Sequence, residues 1–204
     1  MSNPGQRLFS YDEYLALEAE SLEKHEYLQG EVLGMGGGTP THAALASQVT
    51  LAIGPALRNR PCRLYSSDLR VCVEDTGLTT YPDLTVICGP LRPAPHDANA
   101  ATNPTVLVEV LSPSTEAFDR GEKFAHYRQI PSLHDYVLVG SEVARVEVHH
   151  RLGDGSWRLT AAERGASVWV ESLGLDLAVD ALYEGIELAP RSLWERDIGA
   201  GPGR

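Results

Sequence analysis

The sequence predicts a single strand-rich α/β domain. Short apolar runs at Asp83–Cys88, Thr105–Leu111 and Asp135–Val139 have strand length, are rich in Val, Ile and Leu, and are bounded by Pro, Ser and Gly. Two segments, one opening at Pro40-Thr41 and one closing at Pro131, carry the start and stop signals of helices. The length of 204 residues with 43% hydrophobic content supports one buried core, against a usual ~100–200 residues per domain. The domain is read as residues 1–196, with 197–204 a frayed Gly/Pro tail.

The elements follow in order. Ser10-Tyr-Asp-Glu13 is a capping-box pattern that opens a helix running to Glu20. His25–Leu28 and Glu31–Leu33 read as two strands around a Gln29-Gly30 turn. A glycine cluster, Gly34 to Gly38, breaks regular structure before the helix at Pro40, which carries Leu45, Val49 and Ile53 and ends before Pro61. Strands are expected at Arg63–Ser66, Leu69–Glu74, Asp83–Cys88 and Thr105–Leu111, with Gly89–Pro104 an exposed, mobile loop. The next helix starts at Ser112-Pro113 or at a capping box Asp119-Arg-Gly-Glu122, and puts Arg120, Lys123 and Tyr127 near one face. Ala117, Gly121, Phe124 and Ala125 are expected to face inward. Strands at Asp135–Val139, Ala144–His150, Trp157–Ala161, Val168–Glu171 and Leu175–Ala178 complete the pattern.

Charge narrows the functional classes only slightly. The formal net charge is −11. Seven acids against Lys24 in residues 11–31, and five acids with no base in 171–187, account for all of it. The rest of the chain is balanced, so a polyanionic ligand is not excluded. No stretch has the ~20 apolar residues of a membrane span, and Met1–Ser10 lacks an apolar signal-peptide core. Cys62, Cys72 and Cys88 show no CxxC spacing, and a reduced, cytoplasmic thiol set without structural zinc is expected.

The strand Thr105-Val-Leu-Val-Glu-Val-Leu111 is the most informative line. Alternation places Thr105, Leu107, Glu109 and Leu111 on one face. A carboxylate there is costly unless that face meets solvent, or the acid is paired, bound to a metal or turned into a cleft. Tyr81-Pro82-Asp83 opens a second apolar strand with another acid at its entry, where proline is sterically acceptable. Two carboxylates on neighbouring buried strands can hold a hard cation such as Mg²⁺, which takes oxygen ligands and keeps waters for a substrate phosphate. The rival readings do not attract support: Gly34–Gly38 lacks the GxGxxG spacing, His149 and His150 point to opposite strand faces, and no GxSxG surrounds Ser112 or Ser114.

Pro82-Asp83 followed by Glu109-Val-Leu111 resembles the PD-(D/E)XK nuclease superfamily. His25-Glu-Tyr-Leu-Gln-Gly-Glu31, the His42 helix start, Val108-Glu-Val-Leu-Ser-Pro-Ser114, Asp119-Arg-Gly-Glu-Lys-Phe124 and Asp135-Tyr-Val-Leu-Val139 narrow the resemblance to one branch. That branch comprises restriction endonucleases formerly catalogued as a domain of unknown function. It implies a restriction-endonuclease-like mixed β-sheet flanked by helices, here with extra C-terminal strands. The superfamily pattern asks for a lysine at position 111, where this chain has leucine. The chain has only two lysines, Lys24 and Lys123, and the branch is similar in moving the lysine to the following helix.

The resemblance implies a Mg²⁺-dependent DNA endonuclease, with Mn²⁺ an alternative ion. Asp83 and Glu109 would hold the metal, helped by the Val110 carbonyl and a third acid, Glu26 in preference to Glu31. Lys123 would orient the attacking water or stabilise transition-state charge, unless it is only a surface partner of Asp119. His42, Arg58, Arg60, Arg63, Arg70 and Tyr127 are candidate phosphate contacts. A homodimer would cut both strands of a duplex most simply. Two alternatives stay open: a non-catalytic binding or assembly module that keeps the nuclease fold, and a hydrolase of small phosphoesters.

Overall fold

A computed structural model describes residues 7–188, so the expected tail at 197–204 lies outside the described residues. The first helix, α1 (Tyr11–Glu20), starts at Ser10. The Ser10 hydroxyl accepts the Glu13 N–H at 3.2 Å, and Glu13 Oε2 accepts the Ser10 N–H at 2.8 Å, the reciprocal pair of a capping box. β1 (His25–Leu28) and β2 (Glu31–Gly34) form an antiparallel hairpin. Its turn uses Gln29 at φ 49° and Gly30 at φ 97°, the left-handed pair a two-residue hairpin requires. α2 (Pro40–Ile53) is capped by Thr39, with proline in the first turn, and continues into a 3-10 turn, Gly54–Leu57. Its buried residues Leu45, Val49 and Ile53 recur every four positions and form one apolar stripe.

Strands β3 (Cys62–Ser66), β4 (Arg70–Val73), β5 (Leu78–Thr80), β6 (Leu84–Cys88), β7 (Pro93–Ala94), β8 (Asp97–Ala101) and β9 (Val106–Leu111) follow. A helical connection then runs from α3 (Glu116–Phe118) through a π-helical turn, Asp119–Lys123, into α4 (Phe124–Tyr127). β10 (Asp135–Gly140), β11 (Arg145–Arg151), β12 (Trp157–Glu163), β13 (Ser167–Val170), β14 (Leu175–Ala178) and α5 (Val179–Leu182) end the described chain.

The strands build two six-stranded sheets, ordered β2-β1-β5-β4-β8-β7 and β12-β11-β10-β9-β6-β3, and a separate β13-β14 hairpin. The second sheet is mixed: β9 and β10 are parallel, and its other pairings are antiparallel. Alternation along β9 decides the layering. Val106, Val108 and Val110 pack toward α2, the C-terminal hairpin and α5. Leu107 and Leu111 turn the other way, into a cluster with Tyr127, Tyr136 and Leu138 and with Val71, Val73 and Leu78 of the first sheet. Glu109 shares this second face, so it lies between layers and is only 4% exposed. Solvent does not offset its charge.

The structure corrects several expectations. Gly89–Pro104 is not a mobile loop but contains β7 and β8, with Ala94, Asp97, Ala100, Ala101 and Asn103 buried. Small alanines allow close approach, and Asp97 is neutralised by Arg70 from β4. The thiols are not all reduced: Cys62 and Cys88 face each other across the β3–β6 ladder and form a disulfide, leaving Cys72 free. The helix begins at neither expected start but at Glu116, behind Thr115, so Asp119 lies within it rather than capping it. Its buried stripe is Asp119, Lys123 and Tyr127; Ala117 and Gly121 are exposed. Charged residues face inward here because they neutralise one another, which an apolar-inward rule cannot anticipate.

Candidate active site

The site is built from both sheets and two helices. Proline before β6 fixes the chain where Asp83 emerges, and β9 carries Glu109 beside it. The Asp83 N–H points at Glu109 Oε2 at 3.4 Å, and Asp83 Oδ2 accepts the Val110 N–H at 2.7 Å. His42, in the first turn of α2, places Nε2 3.1 Å from the same Asp83 oxygen. That contact raises the imidazole pKa against the opposing effect of burial. Gly38 leaves room for the ring: a Cβ there would stand 2.8 Å from His42 Nδ1.

Lys123 enters from the π-helical turn, a distortion common at functional sites. Its Nζ lies 3.0 Å from Glu109 Oε1, 3.2 Å from Glu26 Oε1 and 3.3 Å from Asp119 Oδ1, the last an ion-pair contact without hydrogen-bond alignment. Burial alone would discharge the ammonium, but Glu109, Glu26 and Asp119 outweigh it and hold the pKa well above the ordinary value. Burial pushes the Glu109 carboxyl up to about 8; Lys123 pulls it down, and Asp83 and Asp119 add to the rise. Burial likewise raises Asp119, again against Lys123.

Of the residues singled out in the sequence, Asp83, Glu109, Lys123, Glu26 and His42 converge. Glu26 reaches Lys123 from β1 and accepts the Thr80 hydroxyl, whereas no contact among the described residues joins Glu31 to the group. Leu111 is buried in the apolar cluster, and the ammonium reaches Glu109 from the helix instead. Tyr127 is fully buried and donates its hydroxyl to Glu109 Oε1 at 2.8 Å, so it orients the carboxylate and cannot contact a phosphate backbone.

The arginines do not gather at the carboxylates. Arg70 is 8% exposed and committed to Asp97 and Tyr81. Arg63 pairs with Ile87, four residues beyond Asp83, or roughly 13 Å at ~3.3 Å per residue. Arg58 and Arg60 precede β3 at that same far end, and Arg60 donates to the Leu173 and Ser172 carbonyls. Sequence reasoning missed Thr80 on the unexpected strand β5, and it treated Asp119 as a helix cap or a surface partner of Lys123 rather than a buried member of the site. The i, i+4 spacing of Asp119 and Lys123 was the available signal.

The donor set suits a hard divalent cation. Asp83 Oδ2 and Glu109 Oε1 are taken by hydrogen bonds, while Asp83 Oδ1 carries none and Glu109 Oε2 has only the long Asp83 N–H contact. Three carboxylates (Glu109, Glu26 and Asp119) surround one ammonium, and Asp83 lies beside Glu109, a surplus of acids that a cation could neutralise. No three His, Cys, Asp or Glu side chains form a cage among the described residues. Mg²⁺ needs none, since it is commonly held by one or two carboxylates plus waters and substrate oxygens.

A mixed sheet with paired acids at its centre and helices on its flanks is a restriction-endonuclease-like nuclease fold. The crystal structure of a "putative nuclease belonging to DUF820" from Anabaena variabilis matches it with a TM-score of 0.70 at 21% identity, covering 86% of this chain and 97% of that one. Residues 11–181 match the Uma2 family model, described as "Putative restriction endonuclease". The chain belongs to that family. Two Synechocystis sp. proteins are also similar. Uncharacterized protein slr1290 is 37% identical over 177 residues, covering 87% of this chain and 92% of its own. Uncharacterized protein sll1609 is 32% identical over 154 residues, covering 76% and 87%. Among the described residues no helix is long and apolar enough to cross a membrane.

Proposed function

We propose that the protein is a Mg²⁺-dependent endonuclease hydrolysing phosphodiester bonds of DNA, with Mn²⁺ able to replace Mg²⁺. The observation carrying this reading is the meeting of Asp83, Glu109, Glu26 and Lys123 at one point. Asp83 and Glu109 are the proposed metal ligands, with Glu26 as the third acid. When bound, the ion supplies Lewis acidity at the scissile phosphate and lowers the pKa of a bound water. Lys123 bridges Glu109 and Glu26, offsetting their mutual repulsion, and offers N–H donors to the attacking water or to developing negative charge on phosphate. Tyr127 fixes Glu109 Oε1, and His42 with the Val110 N–H fixes Asp83 Oδ2, so that each acid keeps its other oxygen for the cation. A symmetric dimer would bring two such sites to the two strands of a duplex.

The test is cleavage of supercoiled and single-stranded DNA by purified protein with Mg²⁺, Mn²⁺ or EDTA, beside Asp83→Ala. Metal-dependent nicking lost in the variant is expected. Because a rare recognition sequence can hide activity, Mn²⁺ binding is titrated calorimetrically on the same samples. Absence of both binding and cleavage would replace the enzyme with a non-catalytic module. Cleavage of RNA alone would change the substrate.

A further inference from the structure

One buried side chain outside this group grips the neighbours of two of its acids. Glu18, on α1, has a side chain only 4% exposed. Its Oε1 accepts the His25 backbone N–H at 3.0 Å and lies 2.7 Å from His25 Nδ1. Its Oε2 accepts the Tyr81 hydroxyl. His25 is adjacent to Glu26, and only Pro82, with its ring-fixed φ, separates Tyr81 from Asp83. Tyr81 is braced from its other side, where Arg70 Nη1 donates to the phenol oxygen at 3.1 Å and Asp97 anchors Arg70 by a 2.9 Å bond. Thr80, next in the same segment, donates to Glu26 itself. Burying a carboxylate is costly unless its oxygens are filled, and both oxygens of Glu18 are filled by groups leading to the site.

We infer that Glu18 is a positioning residue that sets the separation of Asp83 and Glu26 by gripping Tyr81 and His25. Its catalytic meaning rests on the metal-dependent reading above; its geometric effect does not. Glu18→Ala removes both grips, and Tyr81→Phe removes one oxygen with little change in volume. Glu18→Gln keeps an acceptor for the His25 N–H and a polar contact to Tyr81.

The amide of Val110 reports the geometry, because it donates to Asp83 Oδ2 at 2.7 Å. In ¹H–¹⁵N spectra of the metal-free protein, Glu18→Ala and Tyr81→Phe are expected to move the Val110 resonance while amides of β11 stay in place. Glu18→Gln is expected to return it toward the wild-type position. Partners that orient ligands typically matter about 10–100-fold, so Mn²⁺ affinity measured by calorimetry should fall by that factor in Glu18→Ala. The kcat for DNA cleavage should fall similarly, with KM unchanged. An unmoved Val110 resonance in Tyr81→Phe, or wild-type Mn²⁺ affinity in a folded Glu18→Ala protein, overturns the inference. A wild-type protein that binds no Mn²⁺ overturns the metal reading instead, and Val110 alone then decides whether Glu18 places Asp83.

Discussion

Replacing Lys123 by methionine removes one ammonium while keeping most of the side-chain volume. The side chain is 6% exposed, and three carboxylates lie 3.0 to 3.3 Å from its nitrogen. Removing one member of a buried ion pair costs about 3–5 kcal/mol, mostly from the charge left behind. At about 2–4 °C per kcal/mol for a chain of this length, Tm should fall by roughly 6–20 °C at pH 8 in EDTA. The loss should shrink with acid. Glu109 is held up to about 8, against an ordinary 4.5, and losing Lys123 removes a charge that lowers it. An acid raised on folding stabilises the fold fully below its unfolded pKa and loses that contribution as pH rises through the folded value. At pH 5.5 Glu109 is neutral in both proteins, whereas above about 8 the wild type ionises it against the ammonium and the variant must keep it protonated or charge it unpaired, so the gap widens there. Lys123 itself stays protonated across this range, because its folded pKa lies well above 10.5. Thermal unfolding of both proteins at pH 5.5 and 8.5 measures the two gaps. Equal gaps, or a loss under about 1 kcal/mol at pH 8.5, would refute the view of Lys123 as the buried counter-charge of Glu109.

Two further outcomes follow from packing and covalent structure. Gly38→Ala puts a methyl 2.8 Å from His42 Nδ1, so the ring must leave Asp83 or the loop must shift. Overpacking of this kind costs about 1–3 kcal/mol, read by urea unfolding, and calorimetry should show weaker Mn²⁺ binding. The Cys62–Cys88 disulfide spans 26 residues, and a loop of that length is worth about 3.5 kcal/mol in chain entropy. A reductant should therefore lower Tm, and thiol titration of the denatured, unreduced protein should count one free cysteine rather than three.

The parts of the site that were legible in the sequence are those whose signal is local. Glu109 stands out because it interrupts an apolar strand of period two, Asp83 because proline introduces it, and Lys123 because the chain has only one other lysine. Other features depend on register between distant segments. The arginines cluster along the sequence, yet the antiparallel β3–β6 ladder carries Arg63 away from the end of β6 where Asp83 stands. That ladder also brings Cys62 to Cys88, which spacing alone does not reveal. The Pro, Ala and Asn residues of Gly89–Pro104 read as an exposed loop, and only the pairing of Asp97 with Arg70 of β4 shows how the segment is buried. Glu18 was hidden for a similar reason, as one acid among seven in a segment that reads as a charged surface.

Glu26 and Lys123 stand 97 positions apart in the chain and belong to different layers, yet their charged atoms meet at 3.2 Å. Contacts of such long sequence separation form late, after the loop-closure entropy between them has been overcome. A growing polypeptide that has delivered Glu26, Asp83 and even Glu109 still lacks the ammonium, and β10, which pairs with β9, and β11 beyond it emerge later still. The proposed cutting centre would therefore be silent throughout synthesis and switch on only in the finished domain. On the proposed reading, half-made chains would lack the complete centre.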